Sequence, residues 1–411
     1  MRPGHSTAFM RAARGALCAL GAAALAAAEG RAQDALVRRT VTSFTPAFES
    51  WSFGDGILQP ALRTGDSVVV RRASQWSTPV SVSAVIGRGW SLDLSAAYVN
   101  GTVTLASRDT VLRTERYTLA GLTDVRVRAT GRLVGDAVLV TLGANVPTGE
   151  TSLDVRELSA LRVLAAPALG FQAPALGTGP GGTAGLVLAR PIGSWAWALA
   201  FAYEMRGTYA PVAAFTAGAS EPDFDPGDAM HVSLGADGLL GAHGMTLGVS
   251  ADFYTDDELT SGEGATTTAT AKLGPIVTAE WQLRLATHRF RVLALYAVAR
   301  TRAKFERAGE PVPGSSGQFY DGGVRSVLPL SRRSALVATL DGRYHTGLSV
   351  DRTLATAAVA AGGLTLGWAH DLGDTYSLQP FVRGQLGTLD SGGARADMRG
   401  VSGGVSLTMR R

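Results

Sequence analysis

The dominant pattern of the chain, from about residue 67 onward, is an alternation of apolar and polar positions with a period of two. Such alternation indicates β-strands, because successive side chains of a strand point to opposite faces. In the segment 195–205 one face carries large apolar side chains and the other is almost all alanine, whereas 272–285, 124–132 and 336–345 each combine an apolar and a polar face. An apolar outer face and a polar inner face on each successive strand are what a membrane barrel requires.

Connections of two very different lengths separate these segments. A sandwich or a propeller would not segregate loop lengths in this way, whereas outer-membrane barrels have short periplasmic turns and long extracellular loops. The short turns lie at 87–89, 134–136, 192–194, 241–244, 286–289, 331–334 and 372–374. The long segments are 100–116, 150–180, 207–227, 255–266, 305–317, 346–353 and 389–396.

The turns define seven hairpins, and one further strand is expected at each end of the chain, at about 40–53 and 398–409. We therefore predict an all-β fold, a single closed antiparallel transmembrane β-barrel of 16 strands spanning residues 33–411. The alternative is 14 strands, with the segment 33–66 folded inward as a plug. Closure is expected because an open sheet edge would leave unpaired amides in hydrocarbon. Within the long extracellular loop 150–180, residues 153–164 are predicted to form a short helix.

The N-terminus predicts export. Residues 1–32 combine a basic region, an Ala/Leu-rich apolar core and small residues before a cleavage site after Ala32, as in a secretory signal peptide. The only cysteine, Cys18, lies in this segment, which excludes disulfides and Cys-zinc sites from the mature chain. Removal of the segment also leaves the chain nearly neutral, with no basic stripe for nucleic acid.

Composition agrees with a barrel. Of 411 residues, 46% are hydrophobic, 18% are charged and 51 are glycine, which excludes intrinsic disorder. Beyond the signal segment, no apolar run is long enough for a transmembrane helix. An aromatic girdle is predicted on the outer face, because two tryptophans follow short turns and two tyrosines come eight residues later. The predicted girdle residues are Trp90, Tyr98, Trp195, Tyr203 and Trp281.

Inward charged residues are the candidates for lining a permeation path, with a structural network of salt bridges as the alternative. Gly274-Pro275 and Gly362-Gly363 interrupt otherwise regular strands. They mark either an opening in the wall or a bend that helps the barrel close, because Pro cannot donate to the ladder and Gly often marks a bulge. The lumen-lining candidates are Arg126, Arg128, Arg132, Glu280, Arg284, Asp341, Arg343 and Arg383.

About thirty residues carry a resemblance to a known group. The run Gly121-Leu122-Thr123-Asp124 and the later Pro147-Thr148-Gly149 resemble the GLGD strand and PTG loop entry of the FadL-like and "MetA-pathway of phenol degradation" transporter families, with Thr123 in place of the second glycine. The run 166–179 is similar to the same group. The resemblance implies an outer-membrane barrel that transports hydrophobic small molecules passively.

We therefore predict a passive outer-membrane channel of a Gram-negative bacterium for small, hydrophobic molecules, and no enzyme. The first alternative is a structural or adhesive barrel with a plugged lumen. The second is a hydrolase on a barrel scaffold, for which His231 and His345 with Ser233 and Asp341 are the inward candidates, although no nucleophile elbow or metal-binding spacing occurs. We expect no cofactor and no metal. The expected partners are outer-membrane lipid, lipopolysaccharide, the barrel-assembly machinery and a small-molecule substrate, and nucleic acid is not expected.

Overall fold

The computed structural model describes residues 40–60, 67–87, 89–107, 114–134, 137–167, 169–171, 176–213, 221–260, 268–347, 358–391 and 394–410. The predicted signal peptide, residues 1–32, lies outside this part of the chain. Within these ranges, one helix, α1 (Val155–Leu164), accompanies 23 strands. These are β1 (Thr40–Phe44), β2 (Ala47–Pro60), β3 (Ser67–Val85), β4 (Trp90–Ser107), β5 (Thr114–Leu122), β6 (Val125–Leu133), β7 (Val138–Val146), β8 (Gly181–Ile192), β9 (Trp195–Arg206), β10 (Asp223–Asp225), β11 (Ala229–Leu240), β12 (His243–Tyr254), β13 (Asp257–Thr260), β14 (Thr268–Lys272), β15 (Ile276–Arg284), β16 (Val292–Arg302), β17 (Glu306–Arg307), β18 (Glu310–Pro311), β19 (Gly317–Pro329), β20 (Ser334–Thr346), β21 (Ala358–Leu372), β22 (Tyr376–Ser391) and β23 (Ala394–Arg410).

A closed, antiparallel, 16-stranded barrel forms the wall, which confirms the predicted fold class. Backbone hydrogen bonds join 18 segments, but β1 and β2 together make one wall strand, since both pair with β3 and β23. β5 and β6 likewise make one strand beside β4. The barrel closes where Val41 lies opposite Arg410. Residues 40–60 are therefore part of the wall, and the alternative of 14 strands with this segment as a plug is wrong for them.

The pairing register shows which side chains share a face, because directly opposed residues of an antiparallel pair point the same way. Arg128 lies opposite Asp93 on one side and Gly143 on the other, so polar positions follow one face from strand to strand. The opposite face carries exposed apolar side chains, among them Leu199, Leu340 and Leu386. Among the described residues, no helix has the length and hydrophobicity of a transmembrane span.

The helix α1 forms where the sequence predicts one, and its start is fixed by a capping box. The Asp154 side chain accepts hydrogen bonds from the backbone N–H groups of Arg156 and Glu157. The Glu157 side chain in turn accepts from the backbone N–H of Asp154 at 2.9 Å. This reciprocal arrangement satisfies N–H groups that have no partner inside the helix.

The segment between β7 and β8, which contains α1, lies inside the barrel. α1 contacts β3, β4 and β5, and the segment also contacts the adjacent β2 and, farther around the wall, β20. Only the interior of a closed barrel allows both sets of contacts, so this side is the lumen. Buried apolar residues of segment and wall form one cluster, which includes Trp51, Phe53, Val70, Ala73, Val99, Val103, Leu105, Leu119, Leu153, Ala160, Val163, Leu164, Leu169, Phe171, Leu176, Val359, Leu389 and Met398.

A second, five-stranded sheet formed by β10, β13, β14, β17 and β18 stands above the barrel at the end away from the short turns. Its strands occupy parts of the chain that the sequence pattern assigned mostly to long loops. The wall strands break before they enter this sheet, at 255–256 between β12 and β13, at 273–275 between β14 and β15, and at 303–305 between β16 and β17. These breaks let three neighbouring strands bend at a similar level.

Candidate functional site

One buried carboxylate anchors both ends of the segment inside the barrel. Asp124, which is 5% exposed, lies between β5 and β6. Its Oδ1 accepts the backbone N–H of Gly149 at 2.9 Å, and its Oδ2 accepts the backbone N–H of Thr178 at 2.7 Å. Asn145, at the end of β7, donates to the same Oδ2 at 2.8 Å. Residues 149 and 178 are thus held together at the wall, and the chain between them forms the inserted loop.

The inserted loop reaches a different part of the wall at its far end. The indole N–H of Trp51, on β2, donates to the carbonyl oxygen of Leu169 at 2.9 Å. The guanidinium of Arg343, on β20, lies 5.1 Å from the centre of the Trp51 ring. Gly170 has a φ of +66°, and a β-carbon there would approach Arg343 Nη1 to 2.7 Å. The inserted loop therefore crosses and narrows the lumen.

The register places all eight lumen-lining candidates on the inner face. Three of them are on β6 (Arg126, Arg128, Arg132), two on β15 (Glu280, Arg284), two on β20 (Asp341, Arg343) and one on β22 (Arg383). The structure brings only some of them together. Arg383 forms an ion pair with Asp341, whereas Arg128 pairs with Asp93 at 3.4 Å.

The β16–β22 side of the lumen carries a basic cluster that the sequence analysis identified only in part. It comprises Arg343 and Arg383, together with Arg302 and His345, which were not among the lumen-lining candidates. Arg302 Nη2 donates to the carbonyl oxygens of Ser315 and Gly347, at 2.9 and 2.6 Å. Within the described residues, buried guanidinium nitrogens without a partner remain in this cluster. They are Nε of Arg302 and Arg383, and Nε and Nη2 of Arg343.

The two inward histidines do not form the pairs considered for a hydrolase. His345 Nε2 lies 3.1 Å from Asp321 on the neighbouring β19, whereas Asp341, four residues before His345 on β20, is bound to Arg383. His231 Nδ1 lies 2.7 Å from Asp252, and its Nε2 lies 3.5 Å from Glu204. Among the described residues, neither histidine has a serine hydroxyl as a hydrogen-bond partner. Both rings are therefore oriented by carboxylates of the inner wall.

A lumen cavity of about 680 Å³ lies beside the inserted loop. Inner-face side chains of β6 and β9 line it, including Arg126, Glu204 and Arg206, and Tyr209 borders it from above. Burial, followed by the nearby Asp257 carboxylate, raises the pKa of the Tyr209 phenol. The cavity thus combines opposite charges with open space, which suits passage of a polar or charged small molecule.

At both glycine-marked positions the described wall is continuous. The backbone N–H of Ala303 donates to the carbonyl oxygen of Pro275 at 2.8 Å, so adjacent strands stay bonded beside Gly274-Pro275. Gly362 and Gly363 pair regularly with β20 and β22. A β-carbon on Gly363 would lie 2.9 Å from Arg383 Nε, so the absent side chain makes room for that arginine. The structure shows a break between β14 and β15 at the first position and side-chain space at the second, and lateral release stays a prediction.

The five predicted girdle residues are on the outer face by register. Trp90 packs on Gly131 and Trp195 packs on Gly238, each on the neighbouring strand, where a β-carbon would overlap the indole ring. Covering a strand glycine with an aromatic ring is a recurrent stabilising device in β-sheets. The Tyr203 hydroxyl donates to Asp228 at 2.6 Å. The acids near Asp223 and Asp257 do not converge with others, within the described residues, into a group that could hold a metal ion.

Comparisons with known proteins give similarity at the level of structure only. No family model matches the chain, and no curated protein matches it. Among solved structures, the chain is similar to OccK1 (OpdK) of Pseudomonas aeruginosa, with a TM-score of 0.46, 9% identity, and coverage of 90% of this chain and 99% of that one. It is similar to OccK2 (OpdF) of the same organism in complex with glucuronate, with a TM-score of 0.45, 10% identity, and coverage of 90% and 98%. Outer-membrane expressed OmpT of Vibrio cholerae gives a TM-score of 0.39, 10% identity, and coverage of 91% and 98%.

Proposed function

We propose that the protein is an outer-membrane channel for passive passage of small molecules. The observation that carries the proposal is the lumen cavity of about 680 Å³, which stays open beside the inserted loop and is lined by ionisable side chains. The apolar outer face supports placement in a bilayer, because a closed barrel satisfies every wall amide without water. The predicted signal peptide, residues 1–32, supports export to the outer membrane.

We infer that the cargo is a small organic anion. Support comes from the arginines of the inner wall, because Arg126, Arg128 and Arg206 line the lumen cavity, where their guanidinium groups can reach a passing ion. Guanidinium groups bind carboxylate and phosphate with paired hydrogen bonds. The FadL-like resemblance adds the proposal that the remainder of the cargo is hydrophobic.

A plugged structural barrel is the second candidate, because the inserted loop and the wall share a buried apolar cluster. Purified protein in planar lipid bilayers separates the two. A channel gives discrete conductance steps, whereas a plugged barrel gives none. Liposome swelling with a neutral sugar, an aliphatic monocarboxylate and an alkylammonium salt of matched size then tests the cargo. We expect fastest swelling with the carboxylate, and equal rates for all three would contradict the anion preference.

A further inference from the structure

A lateral row of arginines crosses the outer face of the wall on β23, β3 and β5. Arg399 lies opposite Ser52, which lies opposite Arg72. Arg72 lies opposite Thr104, which in turn lies opposite Arg116. Opposed residues share a face, and neighbouring strands are about 4.7–4.9 Å apart, so successive arginines of this row are separated by about 10 Å along the wall.

The arginine row lies just above the apolar band of the barrel. Directly below it, on the same face, is a row of hydroxyl side chains that includes Ser50 and Ser74. The next row down carries Phe48 and Trp76, which are 37% and 45% exposed. Outward aromatic rings mark the membrane–water interface of barrels. Because this edge is opposite the end with the short turns, the guanidinium groups are at the level of the outer-leaflet headgroups.

The three guanidinium groups are available to a ligand. All three side chains are exposed, and no salt bridge within the described residues involves them. Arg72 Nε donates to Ser50 Oγ at 2.9 Å, which orients this arginine along the outer wall and leaves its two terminal nitrogens free to bind. Asp397 is the acid nearest in sequence on this face, two positions from Arg399, so the row stays net positive.

The row is also confined to one sector of the barrel. At the corresponding upper edge of β9, β12, β19 and β20, the described outward side chains include Tyr203, Phe253, Tyr320 and Tyr344. By register, the arginines of β16, β19 and β20 lie on the inner face instead; they are Arg300, Arg302, Arg325 and Arg343. An uneven distribution of this kind indicates a localised binding surface, because charges that only solvate an interface would surround the barrel.

We propose that Arg399, Arg72 and Arg116 form a binding site for the phosphate groups of lipopolysaccharide in the outer leaflet. Arginine binds phosphate through paired, charge-assisted hydrogen bonds, and in the hydroxyl row below, the exposed Thr118 offers a donor to the sugar and acyl ester groups. The aromatic row beneath packs against the acyl chains. This proposal rests on the proposed outer-membrane location, and it assigns a lipid contact that is separate from the lumen.

The test uses the full barrel purified in detergent and titrated with three probes, followed by native mass spectrometry. The probes are diphosphorylated lipopolysaccharide, the same lipopolysaccharide after alkaline phosphatase, and phosphatidylglycerol. The variant is Arg72→Gln/Arg116→Gln/Arg399→Gln. Its matched control is Arg190→Gln/Arg332→Gln/Arg333→Gln, which makes the same change of charge with exposed arginines at the end of the barrel that carries the short turns. Retarded migration without heating on denaturing gels verifies that each variant is folded.

We expect the variant to lose at least tenfold in affinity for lipopolysaccharide, and the control to bind as the wild type does. Removal of the phosphates from lipopolysaccharide should lower its affinity for the wild type by a similar factor, and its affinity for the variant only slightly. Wild-type affinity in the variant, or equal binding of phosphorylated and dephosphorylated lipid by the wild type, overturns the proposal. The comparison of phosphorylated with dephosphorylated lipopolysaccharide uses only the wild type, so it tests the proposal even if the variant does not fold.

Conductance of the same preparations is recorded in parallel. Absence of conductance from the wild type contradicts the channel proposal alone, whereas unchanged lipid binding in the variant contradicts the lipid site alone.

Discussion

Leu164, on the inserted helix α1, packs directly against the backbone of Gly101 in β4. A β-carbon built on Gly101 would overlap Leu164 Cδ1, so the absence of a side chain allows the helix to lie flush against the inner wall. Gly101→Ala should therefore displace α1 toward the lumen axis and destabilise the barrel by about 1–3 kcal/mol, as overpacking usually does. Single-channel recordings should show altered conductance, and urea titration should show the lower stability.

The control for this prediction is the double variant Gly101→Ala/Leu164→Ala. Leu164→Ala removes the γ-carbon and both δ-carbons and so restores the space that the new β-carbon needs, and the double variant should therefore recover wild-type conductance. A double-mutant cycle should give a coupling of about 0.5–3 kcal/mol between the two positions. Additive effects would show that the contact does not position the helix.

Asp124→Asn should loosen the inserted loop at its base. The asparagine retains one acceptor oxygen where the carboxylate has two, so the backbone N–H of Gly149 or of Thr178 loses its partner. A buried donor without a partner costs about 1–3 kcal/mol. We expect a lower unfolding midpoint and faster trypsin cleavage after Arg156 and Arg162. Asp223→Asn, at an exposed acid of β10, is the matched control, and equal cleavage in both variants would contradict the anchoring role.

Arg126→Gln should reduce the preference of the channel for anions. Arg126 lines the lumen cavity, so its charge acts on ions that pass there. A unit charge at 4 Å in water contributes about 1 kcal/mol, favourable for an anion and unfavourable for a cation, so we expect the anion-to-cation permeability ratio to fall by up to about 30-fold. Reversal potentials across a KCl gradient measure this ratio, and the effect should shrink at high salt. Arg72→Gln, on the outer face, should leave the ratio unchanged; a shift of similar size there would place the selectivity outside the lumen.

Gly131→Ala should destabilise the barrel by about 1–3 kcal/mol, because its β-carbon would overlap the indole ring of Trp90. Gly384→Ala is the matched control: this glycine also lies in a wall strand, but nothing is within 4 Å of the position of its β-carbon. Alanine there should be neutral or slightly stabilising, since glycine costs about 0.5–1 kcal/mol in a strand. Equilibrium unfolding from lipid vesicles measures both. Equal midpoints would mean that Trp90 moves aside without cost.

The wall of this fold could be predicted because a barrel strand has two faces with different solvents. Lipid outside and water inside impose a period of two, so Leu340 and Asp341 are assigned to opposite faces from their order alone. The helix α1 could also be predicted, because Asp154 and Glu157 form a local capping box. Both features depend on residues close together in the chain.

The contacts across the lumen could not be predicted, because they depend on strand register and on where the inserted loop lies. His345 is bound to Asp321 rather than Asp341, and this follows from how β19 is aligned with β20. Trp51 is apolar and follows the strand pattern, yet its partner is Leu169, which is far away in sequence. The small upper sheet was missed because strands as short as β17 and β18 contain too few residues to show a period.

Because Asp124 binds both ends of the inserted loop, the loop can be exchanged as a unit without changing its points of attachment to the wall. Changes of length between residues 149 and 178 leave the hydrogen bonds of Asp124 to the two ends of the loop in place, and the entropy of closing a loop rises only logarithmically with its length. The permeability of related channels can therefore change through replacement of this loop, while the barrel strands that fold in the membrane are kept. A graft made between these two positions is the natural unit for re-engineering the pore.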